Sequence, residues 1–112
     1  MKITSLNQQT SKPNTHNPKI MKRVLIENGQ IPHLTNLTQA IFPPGEIANE
    51  HTHQDMYEVF FIEDGIGEFK INGKTVTVKS GDCITVEPGD AHEIKNPGLK
   101  GLVITYMGIE VD

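Results

Sequence analysis

Residues 68–78 read Glu-Phe-Lys-Ile-Asn-Gly-Lys-Thr-Val-Thr-Val, and this stretch decides the fold class. Asn72-Gly73 lies between two runs in which apolar and polar residues alternate. An Asn-Gly pair in that setting is the strongest short-range signal for a β-hairpin, because a type I′ turn needs positive φ at both central residues. The sequence therefore predicts two antiparallel strands here, with Phe69 opposite Val76.

From Ile20 onward the chain repeats this pattern of short strands between turn residues such as Asn28-Gly29 and Pro88-Gly89. No segment carries an apolar period of 3.6 residues over a useful length. A spacing of roughly 8–12 residues between short strands is typical of a sandwich or barrel, so the predicted class is all-β. The other predicted strands are Met21–Ile26, 37–42, 57–62, Cys83–Val86, Ala91–Lys95 and 102–106.

Length and composition limit the classes of partner and the cellular location that we predict for the chain. A length of 112 residues fits one domain. The net charge of −4 and the lack of a basic run argue against a nucleic-acid partner. No apolar stretch approaches the ~20 residues that cross a bilayer, and no signal peptide is visible, so we predict a cytoplasmic protein without a membrane partner.

The single cysteine, Cys83, cannot form an internal disulfide bond. It alternates with Ile84 on a predicted strand, and no base or cation is adjacent in sequence to lower its pKa. These features predict a buried and unreactive thiol.

Residues 1–19 are polar and contain too little apolar surface to fold alone. They are predicted to form a flexible or extended N-terminal arm, either mobile or laid against another subunit, whereas residues 20–112 form one barrel domain. His16 lies in the arm and is not predicted to be functional.

Two histidines and a glutamate follow one another closely at His51, His53 and Glu58. Imidazole and carboxylate groups bind divalent transition metals. In an extended strand residues i and i+2 share a face, so both rings would aim at one point. Glu58 opens the next strand after a short connection and can return to that point.

Two motifs give this pattern its specificity. From Gly45 to Gly65 the chain reads glycine, five residues, His-x-His, four residues, Glu, six residues, glycine. From Gly81 to Asn96 it reads glycine, five residues, glutamate-proline-glycine, two residues, His92, three residues and asparagine. Glu87 stands where a proline is usual in this motif. Together the motifs resemble those of the cupin superfamily, in particular its small single-domain bacterial members.

The resemblance implies a double-stranded β-helix, or jelly-roll barrel, of six to eight strands. It also implies that His51, His53, Glu58 and His92 bind one divalent transition metal, which could be Fe, Mn, Ni, Cu, Co or Zn. His92 is then expected to reach the site from across the sheet. Fold and metal site together do not fix the chemistry of such a protein.

Phe60 and Ile62 share the strand face of Glu58 and are predicted, with Tyr106, to form the wall of a substrate pocket. Val59 and Phe61 face the other way, which predicts that a second sheet or a dimer partner covers them, and we predict a homodimer. The favoured function is a metal-dependent enzyme acting on a small organic substrate, with dioxygenase-like chemistry preferred and isomerase or lyase chemistry as options. The alternative is a non-catalytic barrel that binds or senses a small ligand.

Overall fold

The computed structural model describes residues 1–111 and is built almost entirely of antiparallel strands. A single turn of 3-10 helix lies at Leu6–Gln8. The strands are β1 Lys12–Pro13, β2 Met21–Ile26, β3 Leu34–Phe42, β4 Ile47–Thr52, β5 Met56–Asp64, β6 Ile66–Ile71, β7 Lys74–Lys79, β8 Cys83–Val86, β9 Ala91–Lys95 and β10 Leu102–Glu110. The all-β prediction is confirmed.

Two sheets face each other across the core. The larger has the order β1-β2-β3-β10-β5-β8 and the smaller the order β4-β9-β6-β7. Phe60 and Ile62 of the larger sheet meet Phe69 and Ile94 of the smaller one, and all four are buried. The strands β3–β10 make up the predicted jelly-roll barrel, and β1 and β2 extend its larger sheet beyond β3.

The β6–β7 hairpin has the predicted register. Phe69 pairs with Val76, and the turn residues Asn72 and Gly73 have φ of 49° and 84°. Both values lie in the left-handed region, as a type I′ turn requires.

A Gly73→Ala variant should lose about 1–2 kcal/mol of unfolding free energy, the typical cost of a left-handed conformation for a residue with a Cβ. Apart from its two chain neighbours, no atom of residues 1–111 lies within 4 Å of the position that the new Cβ would take. The loss would therefore come from backbone strain alone, and chemical denaturation would measure it. An unchanged midpoint would contradict the turn assignment.

Several strands run further than the sequence signals suggest. β10 lies between β3 and β5 and pairs with both along nearly its whole length. Backbone hydrogen bonds to β3 and β5 keep β10 extended past Gly108, a residue type that weakens an isolated strand. An extended conformation was assumed for the segment Ile47–Thr52, and this segment forms strand β4.

The prediction that Cys83 is buried is wrong, because its side chain is exposed. β8 is a four-residue edge strand in which Val86 pairs with the inward-facing Glu58, and Cys83 pairs with the outward-facing Phe61. Alternation therefore places Cys83 on the outer face. Phe61 is 45% exposed on that face of the single chain, and the homodimer inferred from this face stays a prediction.

The N-terminal segment up to β1 packs beside β2 of the larger sheet. Arg23 donates a hydrogen bond to the carbonyl of Leu6, and β1 pairs with β2. Residues 14–19 form a loop, here called the arm loop, in which the Asn14 N–H bonds the carbonyl of Ile20. The division of the chain at residues 19 and 20 stays a prediction. Within residues 1–111, no helix is long and apolar enough to cross a membrane.

Candidate metal centre

The structure brings together the four residues that the sequence singled out. One potential ligand atom from each of His51, His53, Glu58 and His92 lies within 4.8 Å of all the others. His51 on β4 stands directly opposite His92 on β9, and His53 follows the end of β4. The expectation that His92 comes from across the sheet is refined, since it lies on the neighbouring strand and Glu58 is the residue that comes from the facing sheet.

The side chains converge on one point inside the barrel. Nε2 of His92 lies 2.9 Å from Oε1 of Glu58, and Nε2 of His53 lies 3.4 Å from the same oxygen. The ring centroids of His51 and His92 are 4.1 Å apart. A single ion could therefore contact all four side chains after small rotamer adjustments.

Backbone carbonyls orient two of the imidazoles. Nδ1 of His51 lies 2.9 Å from the carbonyl oxygen of Asn49, and Nδ1 of His92 lies 3.1 Å from that of Asp90. A carbonyl only accepts hydrogen bonds, so Nδ1 must donate in both rings. In the neutral His51 ring Nε2 then carries the free lone pair that a metal requires. Burial acts to lower the pKa of His92, but the Glu58 carboxylate beside its Nε2 outweighs burial and raises that pKa, so metal binding at His92 would displace a proton.

Burial and close contacts shape the electrostatics of the cluster. Burial acts to raise the pKa of Glu58, but His92, followed by the other imidazoles, outweighs it and holds that pKa below its usual value. Burial lowers the pKa of His51. Glu58 is therefore a carboxylate and His51 a neutral imidazole near neutral pH, the forms that bind metal.

The buried atoms of the cluster fit a divalent metal. Oε1 of Glu58 and Nε2 of His92 are shielded from solvent, and neither has a hydrogen-bond partner of good geometry among the described residues. Buried polar atoms without a partner are costly. A cation placed between them would satisfy both, and three imidazoles with one carboxylate suit a first-row transition metal.

A cavity of about 130 Å³ opens beside the cluster. Phe60 and Tyr106, predicted as pocket residues, line it, whereas Ile62 is fully buried in the core and does not. Further apolar walls come from Phe42, Ala48, Ile94 and Ile104. The cavity is smaller than the ~300–1,000 Å³ typical of drug-sized ligands, so it fits a molecule of few atoms.

Sequence reasoning missed His16, which lies at the mouth of this cavity. Its ring stacks on that of His51, with centroids 4.5 Å apart and planes 15° apart. Burial and then His51 lower the pKa of His16, and Lys22 adds to the effect. No motif spacing connects residue 16 to residue 51, so the contact arises only from how the arm loop folds back.

Lys22 also lines the cavity and was missed. Lys22 pairs with Ala40 of β3, which faces inward. Its two neighbours along β2 face outward: Met21 is exposed, and Arg23 donates a hydrogen bond to the side chain of Gln39. A signal was available in this case, because alternation places Lys22 on the same strand face as Val24. A lysine on the apolar face of a predicted strand is unusual and could have been noted.

A family model of the cupin domain matches residues 38–108. The chain belongs to the cupin family, and the resemblance found in the two motifs is confirmed. The matched stretch includes all four residues of the cluster but not Lys22 or the arm loop.

Two curated relatives and one solved structure are similar to this chain. An oxalate-binding protein of Thermotoga maritima is 39% identical over 56 residues, which is 50% of this chain and 46% of that protein. An uncharacterised protein of Methanocaldococcus jannaschii is 31% identical over 95% of this chain and 88% of its own length. A predicted oxalate decarboxylase of Thermotoga maritima has a similar fold, with a TM-score of 0.92, 23% identity, and coverage of 98% of this chain and all of that one.

Proposed function

We propose that this cupin binds one divalent transition metal at His51, His53, Glu58 and His92 and acts as a metal-dependent enzyme on a small organic acid. The observation that carries the proposal is the convergence of four potential ligands beside a small apolar cavity, two of them with buried atoms that lie 2.9 Å apart without a well-aligned hydrogen bond. A bound divalent ion would supply Lewis acidity and, if redox-active, a means of handling dioxygen.

The ligand set leaves room for a substrate. Four protein ligands would leave open positions on an ion that takes more than four ligands, and open positions distinguish a catalytic from a structural site. A small acid could reach those positions through its oxygen atoms. The apolar side chains of Phe60 and Ile104 flank the cavity and would keep bulk water away from the bound acid.

Tyr106 is suited to orient a substrate as a hydrogen-bond donor. Burial, followed by the negative charge of Glu58, raises the pKa of Tyr106 to about 12, against the opposing effect of a hydrogen bond with Thr38. The phenol therefore keeps its proton at neutral pH. A role for Tyr106 as a general base is correspondingly disfavoured.

Oxygenase-like chemistry remains the preferred reaction, with isomerase or lyase chemistry as the options for a non-redox ion. A non-catalytic binding role is the second candidate. One observation favours it, namely that the Thermotoga maritima relative matched over half of this chain is named for binding oxalate.

The test loads the apoprotein with Fe(II), Mn(II), Ni(II), Co(II), Cu(II) or Zn(II) in turn and adds small organic acids, beginning with oxalate. Oxygen uptake and product formation report turnover, and calorimetry reports binding. A Glu58→Gln variant of similar shape is the matched control. Turnover that this variant loses would support the enzyme, and binding without turnover would support the second candidate. An absence of both for every ion would refute the proposed function.

A further inference from the structure

Lys22 is the one positively charged side chain among the residues that line the cavity, apart from the imidazoles. It is partly buried. Within residues 1–111 its ammonium group makes no hydrogen bond and no ion pair. Buried charges in proteins are usually paired, and this partly buried lysine lines the cavity without such a partner.

The surroundings of Lys22 add to that cost. Lys12 of β1 stands directly opposite it across the β1–β2 pair. Like charges that face each other on neighbouring strands destabilise the pair. The single carboxylate that lines the cavity is Glu58, which is already in contact with His53 and His92.

The charge of the cavity changes when a divalent ion is bound. The ion would outweigh the one negative charge of Glu58, and Lys22 adds a second centre of positive charge in a pocket with mostly apolar walls. Charge pairs are stronger where water is excluded. Such a cavity favours an anion over a neutral molecule.

The arm loop confines this anion site. Asn14, Thr15 and His16 line the cavity on the side of Lys22. Asn17 donates hydrogen bonds from its side-chain amide to Oε1 of Glu46 and to the carbonyl of Ile47, at 3.0 Å each. These contacts connect the arm loop to the start of β4, the strand that carries His51.

We propose that Lys22 is a specificity-determining residue that binds the carboxylate of a small carboxylic acid held at the metal. The acid is limited to a few non-hydrogen atoms by the cavity of about 130 Å³. This inference rests on the proposed function, because it needs an ion to hold the other end of the acid. It does not depend on whether the acid is then converted or only bound.

The test uses three probes of nearly equal shape and different charge: oxalate, its monoamide oxamate and its diamide oxamide. Calorimetry measures their binding to the zinc-loaded 112-residue chain and to its Lys22→Met, Lys22→Arg and Lys74→Met variants. Lys74 is an exposed lysine at the start of β7 and serves as the matched control. Elemental analysis checks the zinc content of each protein.

Lys22→Met should weaken oxalate and oxamate binding by about 10- to 100-fold, the usual effect of losing a hydrogen bond to a charged group. Oxamide binding and zinc content should stay the same, and Lys22→Arg should keep most of the affinity for the anions. Thermal stability of Lys22→Met should be equal or higher, since the variant removes the like-charge contact with Lys12.

Equal weakening for oxamide, or unchanged anion affinity in Lys22→Met, would overturn the assignment of Lys22 while leaving the metal site intact. A wild-type protein that takes up zinc and binds none of the three probes would also overturn it. A wild-type protein that takes up no metal would overturn the proposed function and this inference together.

Discussion

A His51→Ala/His92→Ala double variant should bind almost no divalent metal, whereas the wild-type chain should bind close to one ion. The two rings stand opposite each other on neighbouring strands and supply half of the four-residue cluster. Losing even an outer partner of a metal ligand commonly costs about 10- to 100-fold in affinity, and losing two direct ligands should cost far more. Elemental mass spectrometry on protein purified without a histidine tag would measure the metal content.

A His33→Ala variant is the matched control, because His33 lies outside the cluster. It should bind metal as the wild-type chain does. A Glu58→Gln variant tests the contribution of the carboxylate apart from that of the imidazoles. We expect it to retain weaker metal binding through the three remaining rings. Full metal content in the double variant would contradict the assignment of the site.

An Asn96→Ala variant should lose about 2–6 kcal/mol of unfolding free energy, because a buried backbone group left without a partner typically costs about 1–3 kcal/mol and each of two part-buried hydrogen bonds contributes about 0.5–1.5 kcal/mol more. The side chain of Asn96 is fully buried. Its amide donates to the carbonyls of Phe42 and Lys100, and its oxygen accepts from the N–H of Gly98. Alanine leaves all three groups without these bonds, and urea denaturation monitored by circular dichroism would measure the loss.

The control for Asn96 is Asn7→Ala, at an exposed position in the 3-10 turn, which should change stability little. Asn96→Asp keeps the hydrogen-bond acceptor and removes both donors, so its unfolding free energy should also be lower than that of the wild-type chain. If Asn96→Ala is as stable as the wild type, the asparagine that ends the second motif has no structural role. That outcome would direct attention back to a functional one.

Much of the fold was predictable because its strongest determinants are local. The Asn72-Gly73 turn requires positive φ at two successive residues, and the structure has it. The length of β10 was not predictable in the same way, since it depends on partners on both sides that are distant in sequence. The exposure of Cys83 depends on which face of β8 the core covers, and a four-residue edge strand carries too little pattern to decide that.

The cluster itself was predictable because its residues lie in two dense motifs. The spacing of His51, His53 and Glu58 constrains them to one region, and the second motif supplies His92. The polar residues of the cavity outside the cluster could not be predicted in the same way. His16 and Lys22 reach the cavity through pairing of β1 with β2 and through the fold of the arm loop, and no short-range rule links them to the motifs.

Glu58 is the one member of the cluster that belongs to the larger sheet. A bound ion would therefore act as a reversible cross-link between the two layers of the sandwich, comparable to a disulfide bond in a chain that has none. Ligand binding to the native state alone adds about 2.7 kcal/mol of stability at a concentration of 100 times Kd. Hydrogen exchange should then slow in unison for the amides of β4, β5 and β9, so that strands from opposite layers open as a single cooperative unit.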